Sequence, residues 1–460
     1  MGADTPPVAG QAALQPPGSP LRRAGAVETP ARRMAAGLPP LPAPVDLSDL
    51  LAPFASRGVD LRLDRMAAAL AEGGHPERRF AAVQVAGTNG KGSIATFLEA
   101  ILRASGLRCG TYRSPHLISW CERITLDGRW IEPATLRQDL TRWRPIAERQ
   151  ALTPFELLTA AAFGRFAAAG LDLTVLEVGL GGRLDATTAH PHRPVLGFAS
   201  IGRDHCEHLG ATLAAIAAEK AGALAPGMIA VSAVQPPEVA AVLEAEARRC
   251  GAELRWVEPL PPEAEGGPPL GLAGSFQRRN AAVAVGMAEA LAERGWGPPG
   301  GPPAGWTVPA GALRAGLAAA RWPGRLERCR FRGHPLLLDG AHNPPAARVL
   351  RRELDALAPG QRRWLIGIQR HKEGAEILRH LLAPGDRALV VPIAEARCWS
   401  RQELAQACPA LAAQLQEEGD IGAGLAWLVA GAPGAEALPV VAGSLHLLGE
   451  LIPRLDPRPS

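Results

Sequence analysis

The sequence predicts an α/β protein of two domains, each built on a mostly parallel sheet. Three observations carry this reading. Short apolar runs alternate with helical stretches from Leu47 almost to the C terminus, the pattern of strands joined by helical crossovers. Glycine-rich turns close several of these runs and open the helices that follow. The chain has 460 residues, more than one domain of roughly 100–200 residues usually takes.

Residues 1–45 are rich in Pro, Ala and Gly and lack periodic apolar spacing. They read as a disordered extension. Arg22, Arg23, Arg32 and Arg33, against only Asp4 and Glu28 before residue 46, leave a transit peptide as the alternative. Residues 80–85 read as a buried strand, followed by a glycine turn and a helix at 93–104. Strands at 173–178 and 195–201 follow, the second ending near Asp204 and His205. Helices are expected at 154–169, 213–224 and 280–293, and a surface loop at 295–305, which is dense in Gly and Pro. After Trp322-Pro323-Gly324 the alternation resumes, with four strands at 336–338, 364–368, 388–391 and 439–441. The expected division is an extension at 1–45, a larger domain at 46–325 and a smaller one at 326–460.

Composition excludes several classes of function. Net charge is +4 and aromatic residues make up 4%, with a single tyrosine, which gives no footprint for nucleic acid. The seven cysteines are scattered and form no CxxC pair, against a disulfide framework or a zinc site. No run has the length of a membrane span. No signal-peptide core follows the first basic residues, and Pro6 stands where a myristoylation signal wants Ser or Thr. A cytoplasmic protein is expected.

The most informative segment is Val83-Gln84-Val85-Ala86-Gly87-Thr88-Asn89-Gly90-Lys91-Gly92-Ser93. A strand runs into glycines, then a lysine, then a hydroxyl residue at a helix start. Glycines let backbone N–H groups converge on phosphate oxygens, and the helix N-terminus adds positive potential. Lys91 can reach terminal phosphates and Ser93 can face the metal–phosphate region. It is not a strict GxxxxGK[ST] loop, since Val85 holds the first glycine position and Gly92 separates Lys91 from Ser93. The bland alternative is a glycine turn with an incidental lysine. Gly179-Leu180-Gly181 does not make a dinucleotide fingerprint, because Leu184 stands where the third glycine belongs. Thr153, Pro154 and Glu156 have the form of a helix start, with N-cap, first-turn proline and capping glutamate.

The string AGTNGKGS resembles the ATP loop of the Mur ligase superfamily, specifically its folate branch of folylpolyglutamate and dihydrofolate synthases. Further segments agree in order: Tyr112–Leu117 (YRSPHL), Glu122-Arg123-Ile124, Thr153–Glu156 (TPFE), residues 177–187 (EVGLGGRLDAT), Asp204-His205 and Glu219–Gly222 (EKAG). Later come residues 274–282 (GSFQRRNAA, with Phe276 in place of a histidine), 322–327 (WPGRLE), 339–344 (DGAHNP) and 443–445 (GSL). The resemblance covers about Leu47 to Gly449. Pro154 departs from an aromatic residue, Thr188 from a frequent Asn and Arg203 from an apolar residue.

The resemblance implies a P-loop ATPase domain of the Mur ligase type and a smaller C-terminal α/β domain, with ATP in the cleft between them. ATP would be held by Thr88, Asn89, Gly90, Lys91, Gly92 and Ser93, with Asn280 at the adenine, Arg325 at the phosphates and Asp339 at the ribose. His342 would meet the γ-phosphate or cap the next helix, and Asn280 has an ordinary helix N-cap as its alternative. Ser114 and Glu177 would hold one Mg²⁺, and His205 and Lys220 a second, with Lys220 carbamylated. A hydrogen-bonded core histidine and a snorkelling surface lysine are the competing readings of His205 and Lys220. Thr153, Pro154, Phe155 and Glu156, with Leu184, Asp185 and Ala186, would line the pterin site. Lys91, Lys220 and His205 would be the catalytic residues. The implied reaction joins L-glutamate to dihydropteroate and to the γ-carboxylate of reduced folates through an acyl phosphate, in a monomer. Polyglutamylation alone, a Mur-type ligation on another acceptor, and a non-catalytic nucleotide-binding protein are the alternatives.

Overall fold

The computed structural model describes residues 40–296, 305–394, 396–430 and 438–457. Eight strands form the first sheet: β1 (Ala82–Ala86), β2 (Cys109–Tyr112), β3 (Ile124–Leu126), β4 (Arg129–Trp130), β5 (Leu173–Glu177), β6 (Val195–Phe198), β7 (Ile229–Ala233) and β8 (Glu253–Val257). Their spatial order is β4-β3-β2-β5-β1-β6-β7-β8. Only the β2–β3 and β3–β4 pairs are antiparallel. Every residue of β1, β5, β6 and β7 is buried, because strands covered on both faces must be apolar on both.

Helices Lys91–Ala104 and Gln277–Arg294 cover one face through Ile94, Phe97, Leu98, Met287 and Leu291. Helix Pro154–Ala169 covers the other beside Leu176, and helices Leu213–Ala221 and Pro237–Cys250 cover it beside Leu196 and Phe198. β5 and β6 flank β1 on opposite sides. The carboxyl ends of these three strands therefore open onto one crevice, where ligands bind in open α/β sheets.

The second sheet has six strands, not the four the sequence predicts: β9 (Glu327–Phe331), β10 (His334–Leu338), β11 (Arg363–Ile366), β12 (Arg387–Val390), β13 (Leu415–Glu417) and β14 (Val440–Ala442). Their order is β13-β12-β11-β14-β10-β9, with β9 antiparallel to β10. β9 is an edge strand, part exposed and rich in arginine, so it carries no apolar run. Arg332 and Gly333, both with positive φ, turn it into β10, the backbone a two-residue hairpin asks for.

Residues 40–45, expected in the disordered extension, are packed. Trp130 donates its indole N–H to the Pro40 carbonyl at 3.1 Å, and Leu41 and Val45 lie against the apolar cores. Residues 1–39, and 297–304 of the expected loop, lie outside the described residues.

Candidate active site

The phosphate-loop segment leaves β1 at Ala86 and enters the helix at Lys91. Gly87 and Gly90 have φ of 137° and 103°, which a side chain rarely adopts. A Cβ on Gly90 would also lie 2.5 Å from Asn280 Oδ1. The loop is tied to the exit of β6: the Thr88 and Asn89 N–H groups donate to the Ser200 carbonyl at 2.8 and 3.1 Å. Lys91 Nζ donates to Thr88 O at 3.2 Å, and the buried Ser93 hydroxyl accepts from Gln277 at 3.2 Å. Asn280 is not an N-cap. Its helix starts at Gln277 with Phe276 as the cap, and Asn280 donates to Gln277 Oε1 at 2.9 Å.

Glu177 ends β5 beside Ser114, whose N–H donates to Glu177 Oε2 at 3.3 Å. Burial raises the Glu177 carboxyl above its ordinary range, against the pull of Lys91. Lys220, in the last turn of helix Leu213–Ala221, is 4% exposed, so it does not snorkel. Its Nζ donates to the Gly87 carbonyl at 2.9 Å. Burial, helped by Lys91, brings the amine down to about 7. His205 is not a core residue. It has a left-handed backbone, precedes a short helix, and leaves about a third of its side chain open. The protein around it still holds the imidazole down at about 4, with Asp204 opposing.

Asp204, which the sequence reading did not assign, is the hub of this end. Its Oδ2 accepts from Asn343 Nδ2 at 2.9 Å, and its Oδ1 meets Lys372 Nζ at 2.6 Å. His342 and His205 stand 3.7 and 3.8 Å away. Burial would raise this carboxyl, but His342 and the Lys372 ammonium win and hold it well below the usual carboxylate range. Asn343 also exchanges amide hydrogen bonds with Asn89, at 2.9 and 3.0 Å. The phosphate loop, the β6 exit and the second domain thus share one polar network.

Arg325, at the domain boundary, and Asp339 and His342 of the second domain face the same space. Asp339 accepts from the N–H groups of Leu326 and Ala341 at 2.8 and 2.9 Å. Burial raises it, while Arg325 lowers it. His342 does not cap the following helix. Asn343 does, accepting from Ala346 N at 3.0 Å, and His342 Nδ1 instead meets the Gly340 carbonyl at 2.7 Å.

Thr88 through Ser93, Ser114, Glu177, His205, Lys220, Asn280, Arg325, Asp339 and His342 line one cavity of about 220 Å³. Among the described residues no three His, Cys, Asp or Glu side chains gather as a metal cluster. Mg²⁺ takes one or two protein oxygens and completes its shell with phosphate oxygens and water. Glu177 and Ser114 fit such a site. Lys220 as an ammonium does not fit a second one; as a carbamate it would add oxygen donors.

A second cavity of about 450 Å³ shares Ser114, Pro115, Gly179, Leu180, His205, His342 and Leu445 with the first. Thr153, Phe155, Glu156, Leu184, Asp185 and Ala186 line it. Pro154 does not: it is spent at the first helical position. Thr153 and Glu156 form the expected capping box, and Arg65 binds Glu156 at 2.8 and 2.9 Å. Asp185 Oδ2 accepts from the Gly179 and Leu180 N–H groups, both at 2.9 Å, and so holds the glycine turn. Lys372, His371 and His446 also reach these cavities' walls; no sequence motif marked them, whereas Asp204 and Asn343 stood inside motifs already noted.

A protein-family profile described as dihydrofolate synthetase, C-terminal domain, matches residues 325–455. The dihydrofolate synthase/folylpolyglutamate synthase of Mycobacterium tuberculosis is 35% identical over 334 residues, 64% of this chain and 66% of that protein. The protein of the same name from Bacillus subtilis is 36% identical, over 62% of this chain and 70% of that one. The solved structure of E. coli FolC with DHPP and ADP superposes with a TM-score of 0.76 at 28% identity, covering 91% of this chain and 98% of that one. A bifunctional folylpolyglutamate synthase/dihydrofolate synthase solved with Mn, AMPPNP and L-glutamate gives 0.74 at 28%, over 91% and 98%. By fold, motif order and sequence, the chain belongs to the dihydrofolate synthase/folylpolyglutamate synthase family.

Proposed function

We propose that this chain is an ATP-dependent ligase that joins L-glutamate in amide linkage to dihydropteroate and to the γ-carboxylate of reduced folates. The observation that carries this reading is the wall that the two cavities share. The phosphate-loop cavity and the acceptor cavity share Ser114, His205 and His342 in their walls, so a carboxylate held in one lies beside a terminal phosphate held in the other.

The acceptor carboxylate attacks the γ-phosphorus and ADP leaves, giving an acyl phosphate. The glutamate amine attacks the acyl carbon, loses a proton, and the tetrahedral intermediate expels phosphate. Lys91 and Arg325 neutralise charge on the transferring phosphoryl group. The loop glycines present N–H groups to the phosphates. The two domains, joined through Asn89, Asn343, Asp204 and Lys372, exclude water that would hydrolyse the acyl phosphate.

Bound Mg²⁺ would supply charge neutralisation at the phosphates. Ser114 and Glu177 would hold one ion, and His205 with a carbamylated Lys220 would hold a second. Support for the carbamate is chemical: Lys220 is buried with a carbonyl as its hydrogen-bond partner, the setting in which an amine stays neutral enough to take up CO₂. The domains divide near residue 325, and the enzyme works as a cytoplasmic monomer. No helix among the described residues is long and apolar enough to cross a membrane.

Phosphate release from Mg·ATP and L-glutamate tests the reading, with dihydropteroate compared against tetrahydrofolate. Release with both, coupled to glutamate incorporation, is expected. Release with tetrahydrofolate alone would reduce the function to polyglutamylation. Release with neither, from folded protein that binds ATP, would overturn it.

A further inference from the structure

Helix Pro344–Leu357 follows directly on His342 and Asn343. Its first half gives Pro345, Ala346, Val349 and Leu350 to the wall of the phosphate-loop cavity. Ala346, Val349, Leu350 and Glu353 recur at steps of three and four, so they share one face of the helix. The helix is tied to the first domain at two points. At its start, Asn343 exchanges amide hydrogen bonds with Asn89. Further along, by about 15 Å at 1.5 Å per residue, Glu353 meets Ser275.

This second tie is made of well-defined bonds. Ser275 donates its N–H to Glu353 Oε2 at 2.8 Å and its hydroxyl to Glu353 Oε1. The Glu353 carboxylate is buried, at 7% exposure. Among the described residues it makes no other hydrogen bond or ion pair, so its own domain offers it no polar partner. Carboxylates are rarely buried unless they are satisfied, and here the satisfaction comes wholly from across the domain boundary. Ser275 stands just before helix Gln277–Arg294, whose amino end carries positive potential and favours a carboxylate. The residues that follow it, Phe276, Arg279 and Asn280, line the same cavity as helix Pro344–Leu357.

A helix tied at one end can tilt about that end. Tied at both, it holds its line, and the side chains that wall the cavity lie between the two ties. We infer that Glu353 is a positioning residue: through Ser275 it fixes the far end of helix Pro344–Leu357 against the first domain, and so sets how closely Ala346, Val349 and Leu350 pack on bound nucleotide. Glu353 lines neither cavity, and no residue of this helix lines the acceptor cavity. The effect is therefore confined to the nucleotide. The inference rests on the ligase reading above, which places a nucleotide in the first cavity.

Calorimetric binding of ADP and of a non-hydrolysable ATP analogue, with steady-state kinetics beside it, tests this on the full-length parent and its Glu353→Ala, Ser275→Ala and double variants. Glu353→Ala should weaken both nucleotides about ten-fold or more, the worth of two hydrogen bonds to a carboxylate, and raise KM for ATP to match, with KM for the acceptor within about two-fold of the parent. Ser275→Ala keeps the N–H and should lose less. It alters an exposed position, so it carries the test even where Glu353→Ala fails to fold. The double variant should bind nucleotide no more weakly than Glu353→Ala, because the two side chains make one contact. Unchanged nucleotide affinity in the single variants would overturn the assignment. So would losses that simply add in the double variant, or a KM for acceptor that rises as far as the KM for ATP, the mark of a domain loosened as a whole. Failure of the unaltered protein to bind either nucleotide would overturn the ligase reading as well. Equal binding by parent and variants would refute the role of Glu353 and leave that reading standing.

Discussion

The ion pair between Glu99 and Arg113 gives a prediction whose size follows from its burial. Glu99 lies on the phosphate-loop helix and is 2% exposed; Arg113, just before Ser114, is 1% exposed. Thr125 donates its hydroxyl to Glu99 at 2.9 Å, and the guanidinium lies 4.9 Å from the Trp322 ring centroid. Arg113→Met keeps the stem and removes the charge. Breaking a buried pair on one side usually costs about 3–5 kcal/mol, and the lost ring contact adds roughly 1 kcal/mol. Arg113→Met should therefore lose about 4–6 kcal/mol at pH 7, read as the denaturant midpoint of the first domain's transition. Removing both charges, as Glu99→Leu with Arg113→Met, should bring stability back to within about 1 kcal/mol of the parent. A single variant that loses less than about 1 kcal/mol, or a double variant no more stable than the single, would refute the reasoning.

Four further outcomes are expected. His190 is buried and neutral, accepting the His192 N–H at Nδ1 and pairing its Nε2 with the Phe80 carbonyl at 3.1 Å; burial holds it down at about 3. The unfolded chain takes the proton first, so stability falls as pH drops from about 6.5 toward 3, and His190→Gln should remove about 2 kcal/mol of the loss between pH 7 and 5 in urea titrations. A Cβ at Gly179 would come within 2.5 Å of the Phe155 ring, so Gly179→Ala should raise KM for the acceptor several-fold while leaving KM for ATP nearly unchanged. Lys220→Met should lower phosphate release by about 100-fold or more while the protein still binds ATP, and intact-mass analysis of the unaltered enzyme in bicarbonate should show an added carbamate that CO₂-free buffer removes. Chelation should abolish phosphate release, and Mg²⁺ or Mn²⁺ should restore it.

The strands that build the crevice were legible because they are buried on both faces and so read as unbroken apolar runs. β9 was not: an edge strand with alternating arginines has no such run, and only its turn at Arg332-Gly333 betrays it. The phosphate loop, Ser114, Glu177, His205 and Lys220 were legible as motifs, and the structure gathers them around one cavity. Its polar hub was only half visible. Asp204 was passed over beside His205, because a carboxylate that binds another domain looks in sequence like any surface aspartate. Lys372 sits in no motif, and its partner lies 168 positions away, a separation local pattern cannot span. Pro154 was misassigned for the opposite reason: a strong local role, the first turn of a helix, was read as a share in the pocket.

The contact of Asn343 with both Asn89 and Asp204 makes the two domains a coincidence detector. One asparagine side chain reads the conformation of the loop that cradles ATP and of the turn that carries His205. Whatever free energy nucleotide gives to ordering Asn89 is therefore felt in the second domain's docking, and by linkage docking returns the same increment to nucleotide affinity. An enzyme that must not spend its triphosphate on water gains from this arrangement. The alignment that fires the chemistry is most stable when the loop, the turn and the second domain have all arrived together.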